Sequence, residues 1–191
     1  MDTVECLLTR RSVRKYKPDP IPRRELEEIL AVASCAPSAV NLQPWYLVAI
    51  CSPEGMGEFR ETMRHVAAKT RPELEERFAN YPQVIQETES FLVSLGGAPV
   101  CVLAFLQKDN YPDRDSVVQS IAAAVENLLL AAWSKGIGSC WMTAPVSTGF
   151  GPALQARFAP GKGELVAAVS LGYPDQTPKM PKRKAGRCIF L

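Results

Sequence analysis

Between Ser120 and Lys135 the chain reads SIAAAVENLLLAAWSK, with charge only at Glu126 and at its last residue. Ile121, Ala124, Val125, Leu128, Leu129 and Ala132 recur at helical spacing, and most residues between them are apolar as well. A helix that is apolar over so much of its circumference has to be enclosed by other elements, so it is expected as the central buried helix. Gly136 ends it, and Lys135 just before supplies a cation to the negative helix terminus. The 191 residues, 47% of them hydrophobic, suffice for one core around it, whereas two domains would each be marginal. A single domain spanning 1–191 is therefore expected, with no internal repeat or dividing linker.

Strands are expected at Trp45–Ile50, Pro99–Leu106 and Leu165–Tyr173, with a further buried segment at Ile137–Met142. Val4–Leu8 reads as a short opening helix. Pro18, Pro20 and Pro22 impose an extended connection, and Pro22 suits the first turn of a helix whose apolar face is Leu26, Ile29, Leu30 and Ala33. Ser52 followed by Pro53 starts another helix. The charged stretch from Glu58 to about Leu95 reads as helical, broken at Pro72 and Pro82, and forms a surface excursion or a lid. Leu154–Phe158 is a last short helix. This order fits an α/β or an α+β fold, and the strand order stays open.

A formal charge of +2 argues against a nucleic-acid or membrane partner. The N-terminus lacks the features of a signal peptide, and no apolar run reaches the roughly 20 residues of a membrane span, so a soluble cytoplasmic protein is expected. Cys6, Cys35, Cys51, Cys101, Cys140 and Cys188 show no metal-binding spacing and read as reduced, structural thiols, with Cys51, Cys101 and Cys140 in apolar strand-like segments. The only histidine, His65, reads as a surface residue of a helix, and hydrolytic or P-loop motifs are missing. Glu126 is expected to be paired internally, to cover a polar edge or to titrate abnormally.

Four segments carry chemical potential. Arg10, Arg11, Ser12 and Arg14 crowd three guanidiniums around a hydroxyl, which suits a phosphate or, alternatively, a solvated basic turn. Ser38, Asn41 and Gln43 lie in a loop between Pro37 and Pro44; their donors and acceptors match the edge of a flavin or nucleobase, or satisfy their own backbone. Gly136–Pro145 holds small residues that admit a flat ligand but lacks a complete GxGxxG fingerprint. The tail from Pro174 to Lys184 brings Lys179, Lys182, Arg183 and Lys184 to an anion or to solvent.

In this order the segments resemble the nitroreductase family. The resemblance rests on RRSVRKY at 10–16, APS at 36–38 with Asn41 and QPW at 43–45, ENLLLAA at 126–132, GIGSCW at 136–141 and LGYP at 171–174, and extends from Arg10 to Arg183. It implies an α+β nitroreductase-like three-layer fold, with a mixed, mainly antiparallel sheet around the buried central helix. It also implies a homodimer with FMN at the subunit interface. By position, Arg10 and Ser12 would contact the ribityl phosphate, with Arg11 at the phosphate or ring edge and Arg14 nearby. Ser38 and Asn41 would lie near the isoalloxazine, and Gln43 would approach it across the interface. Backbone at Thr143 and Ala144 would lie near N5, and Arg183, assisted by Lys184, would return to the phosphate; Asn127 would anchor its helix.

The implied activity is ping-pong reduction of a small-molecule electron acceptor, such as a nitroaromatic, quinone or enone, by NAD(P)H, with the cofactor performing the redox chemistry. A narrower flavoenzyme or a flavin-binding electron relay are the rival readings. Only eight residues follow Arg183, fewer than in many relatives, and the apolar end Ile189–Leu191 is a candidate to dock on the partner.

Overall fold

Residues 2–191 are described by a computed structural model. Helices α1 (Thr3–Thr9) and α2 (Arg23–Ala33) precede strand β1 (Trp45–Ile50); helices α3 (Pro53–Arg77) and α4 (Pro82–Ser94) lead to strand β2 (Val100–Leu106). Helix α5 (Arg114–Ser134), strand β3 (Gly138–Met142), helices α6 (Ala144–Ser147) and α7 (Gly151–Phe158) and strand β4 (Leu165–Gly172) complete the order. The strands lie β1-β2-β4-β3, and every neighbouring pair is antiparallel. A parallel contribution comes from the bridge between Ser12 and Ser139.

Strand alternation divides the interior in two. Cys101, Leu103 and Phe105 point into one core with Phe59, Met63, Phe91 and Leu95; Val100, Val102, Ala104 and Leu106 point into the other with Ile29, Ile121, Val125 and Leu128. Helices thus cover both faces of the sheet, the expected three-layer α+β arrangement. Each buried strand is an apolar run rather than an alternating one because neither of its faces meets water. A register shift at Ala104/Phe105 breaks the β2–β4 ladder, the local disruption that a bulge produces.

Helix α5 is the buried helix that the apolar run demands, and it begins six residues earlier than the apolar pattern because Asp113 caps the Ser116 N–H. By length and composition it also meets the requirement for a membrane span, which corrects the expectation that no segment does; 50% of that apolar window is buried, with Ile121, Val125, Leu128 and Leu129 packed into the core beside the sheet. Gly136 follows with φ of +75°. Ser52 caps α3 through Gly55 N at 3.1 Å, as its position before Pro53 predicts.

The expected break at Pro72 does not occur: α3 continues through it to Arg77. Met63, Val66 and Ala67 before the proline and Leu74 after it are all buried, and this packing outweighs the roughly 3 kcal/mol an interior proline costs. Pro82 does separate the helices, standing in the first turn of α4. Cys101 and Cys140 are buried in strands, whereas Cys51 lies just past β1 and is exposed, so its expected place in an apolar strand is corrected.

Candidate functional site

The backbone from Arg10 to Lys17 is pinned along the sheet edge. Val13 N donates to Ser139 O at 2.8 Å, Tyr16 N to Gly96 O at 2.9 Å and Lys17 N to Tyr173 O at 2.9 Å. Val13 is fully buried and the Tyr16 hydroxyl donates to Val13 O at 2.6 Å, with Ser170 Oγ 2.9 Å away. Burial pushes the Tyr16 phenol well above its usual range, which keeps it a neutral donor. Anchoring these residues leaves Arg10, Arg11, Ser12 and Arg14 to line one cavity of about 340 Å³. The tail completes its lining with Pro178, Lys179, Pro181 and Arg183.

The cations are held differently. Arg10 Nε lies 3.5 Å from Glu126 Oε1, so Glu126 is paired. Arg11 Nη1 donates to Leu8 O at 2.8 Å and to Arg10 O at 2.6 Å, and the Arg14 guanidinium lies 5.9 Å from the centre of the Phe91 ring. No carboxylate lines this cavity; the guanidiniums of Arg10, Arg11, Arg14 and Arg183 with the Ser12 hydroxyl are a donor set that fits the phosphate of FMN, and the Lys179 ammonium is a further cation beside them. Lys179 belongs to it although the sequence reading singled out Arg183 and Lys184, and Lys184 is not among the lining residues. Lys179 was legible only as one of several basic tail residues, since nothing in its spacing selects it.

Ser38, Asn41 and Gln43 form a separate cluster. Gln43 N donates to Ser38 Oγ at 3.0 Å and Gln43 Nε2 to Asn41 Oδ1 at 3.0 Å. Val40, Asn41 and Gln43 adopt φ of +43°, +56° and +45°, a left-handed backbone that is costly for a β-branched residue. The buried Ser120 hydroxyl ties this loop to α5, accepting from Ala39 N at 3.2 Å and donating to Ser116 O at 2.7 Å. Sequence reasoning missed this anchor because a serine on an apolar helix carries no motif. Ser120→Ala is expected to destabilise the protein by about 1 kcal/mol in urea unfolding, the worth of one net hydrogen bond.

Thr143 precedes α6 and Ala144 begins it; Thr143 O accepts from Val146 N at 2.9 Å and from Ser147 N at 3.0 Å. Neither residue lines the basic cavity. A second cavity of about 300 Å³ lies nearby in sequence, lined in part by Val146, Leu165, Asp109 and Glu164. Burial pushes the Cys6, Cys101 and Cys140 thiols up, which disfavours thiolate chemistry at all three. His65 sits exposed on α3, stacked beside Phe150 at 6.2 Å between ring centres. Among the described residues no cluster of potential metal ligands occurs.

The model of the Nitroreductase family matches residues 7–173. YfhC of Bacillus subtilis strain 168, which carries a provisional NAD(P)H nitroreductase name, is 29% identical over 97% of this chain and 91% of its own. Iodotyrosine deiodinase of Thermotoga neapolitana is 29% identical over 92% and 90%. A Bacteroides fragilis nitroreductase crystallised with bound FMN superposes with a TM-score of 0.77 at 26% identity, covering 100% of both chains.

Proposed function

Because the chain belongs to the nitroreductase family, we propose that it is an FMN-dependent oxidoreductase that uses NAD(P)H to reduce a small organic acceptor such as a nitroaromatic, quinone or enone. The observation that carries this reading is the carboxylate-free cavity in which the basic segment and the tail converge. Bound FMN supplies the hydride chemistry, so the protein needs no nucleophile or catalytic triad. Arg10, Ser12 and Arg183 hold the phosphate, with Arg11 and Arg14 in the same field and Lys184 assisting from outside the lining.

Ser38, Asn41 and Gln43 serve the polar edge of the ring. The Asn41–Gln43 amide bond orients both side chains and leaves the Asn41 amino group and the Gln43 carbonyl for a ligand. Backbone at Thr143 and Ala144 lies against the ring near N5, where a donor stabilises developing negative charge. We read 1–191 as one cytoplasmic domain. Since the inner face of α3 and α4 is part of the core, only the tip of the 58–95 segment is free to act as a lid.

A homodimer completes this reading. Val4, Leu7 and Leu8 expose an apolar face on α1, and Val40, Leu42 and the end Ile189–Leu191 are exposed as well. The decisive experiment is anaerobic titration of the purified protein with NADH and, separately, NADPH. Bleaching of the flavin absorbance, and its recovery with a nitroaromatic or quinone, is the expected result. Flavin bands that persist would favour an electron-relay role, and a colourless protein unable to take up FMN would overturn the reading.

A further inference from the structure

The basic cavity holds more positive charge than one phosphate ester neutralises. Arg10, Arg11, Arg14, Lys179 and Arg183 contribute five cations. Glu126 offsets one of them at Arg10, and a phosphate monoester offsets at most two more. Two charges remain, and none of the ion pairs among the described residues engages Lys179 or Arg183. Pro178 and Pro181 bracket Lys179 and restrict its backbone, while Asp175 N donates to Lys15 O at 2.9 Å, tying the start of the tail to the basic segment. Uncompensated cations gathered at a cavity are an anion subsite.

We propose that the Lys179 side of this cavity binds a second phosphate group, the pyrophosphate of the reducing dinucleotide. This inference rests on the FMN reading above. In FMN and in the nicotinamide half of NAD(P)H, one five-carbon unit, a ribityl chain in the first and a ribose in the second, separates the reactive ring from its phosphate. Two such rings brought together for hydride transfer can therefore direct their phosphates toward a common region, and the surplus charge lies beside the cofactor's phosphate donors. Because the pyrophosphate is common to NADH and NADPH, this subsite strengthens both and selects neither.

The test uses the FMN-loaded protein and its Lys179→Ala and Lys179→Glu variants, with Lys182→Glu as a charge-matched control from the same tail. Binding of oxidised NAD⁺ and NADP⁺ is read from the perturbation of flavin absorbance, alongside KM for NADH and NADPH. Lys179→Ala is expected to weaken both dinucleotides roughly tenfold, equivalent to one charge-assisted hydrogen bond, with the loss in KM rather than kcat. Lys179→Glu is expected to weaken them further, with a reduced dependence on salt, and FMN content is expected to stay at the parent level.

A loss confined to NADP⁺ and NADPH would overturn the pyrophosphate assignment in favour of the ribose 2′-phosphate. Unchanged dinucleotide affinity, an equal loss in Lys182→Glu, or loss of FMN from the Lys179 variants would overturn the subsite itself. A parent protein that never binds FMN would instead fail the earlier reading, so the two failures are distinguishable.

Discussion

Replacing Arg10 and Arg183 together by alanine is expected to raise the dissociation constant of FMN by two orders of magnitude or more. The two side chains approach the cavity from opposite ends of the chain, one from the end of α1 and one from the tail, so neither substitutes for the other. Each charge-assisted bond to a phosphate contributes about 1.5–3 kcal/mol, and each 1.4 kcal/mol is tenfold in affinity. Stability should change little: Glu126 loses its partner at 3.5 Å but is partly exposed, so water solvates the freed carboxylate. Flavin content after gel filtration and fluorescence titration of the stripped protein with FMN check the prediction. Retained stoichiometric FMN with unaltered affinity would remove the phosphate assignment while leaving the family membership intact.

The ease of reading different parts of this chain has physical causes. Trp45–Ile50 was legible to the residue because this half-buried strand is a short apolar run bounded by a proline and a cap, and all three signals are local. The helix around Leu128 was legible for the same reason, although its start depends on a capping aspartate outside the apolar pattern. Pro72 misled because a local rule met a tertiary one: side chains far apart in sequence bury both flanks of α3 and hold the helix through the proline. Strand order had no local signal at all.

The candidate site divides along similar lines. Arginines crowded within five residues point to an anion or to a solvated basic turn before any fold is known, and the structure brings Arg10, Arg11, Ser12 and Arg14 to one cavity. Lys179 was marked only as one of several tail cations, and the anchoring role of Ser120 not at all, since each acquires its role only when distant segments meet. Tyr16 is intermediate: its place in RRSVRKY marks it, but its function as the hydroxyl that braces Val13 O emerges only from the packed structure.

Gly96→Ala should carry the other large effect, because this position couples the fold to the site. Gly96 adopts φ of +62°, and an added Cβ would stand 2.0 Å from Arg14 O and 2.7 Å from the Arg14 carbonyl carbon. Both atoms are backbone, so no side-chain rotation relieves the clash. The basic segment would have to leave the turn, giving up the Tyr16 N–H bond to Gly96 O and loosening the stack of Arg14 on Phe91. Left-handed strain and overpacking together are expected to destabilise the protein by about 3 kcal/mol, a fall in Tm of roughly 6–12 °C for a chain of this size. FMN should bind about tenfold more weakly, since Arg10, Ser12 and Arg14 are displaced as a unit. Gly57→Ala is the matched control: it lies on α3 with nothing within 4 Å of an added Cβ, and should stabilise by up to about 1 kcal/mol without altering FMN binding. A Gly96→Ala protein with parental Tm and FMN affinity would show that the α4–β2 turn does not hold the phosphate segment in place.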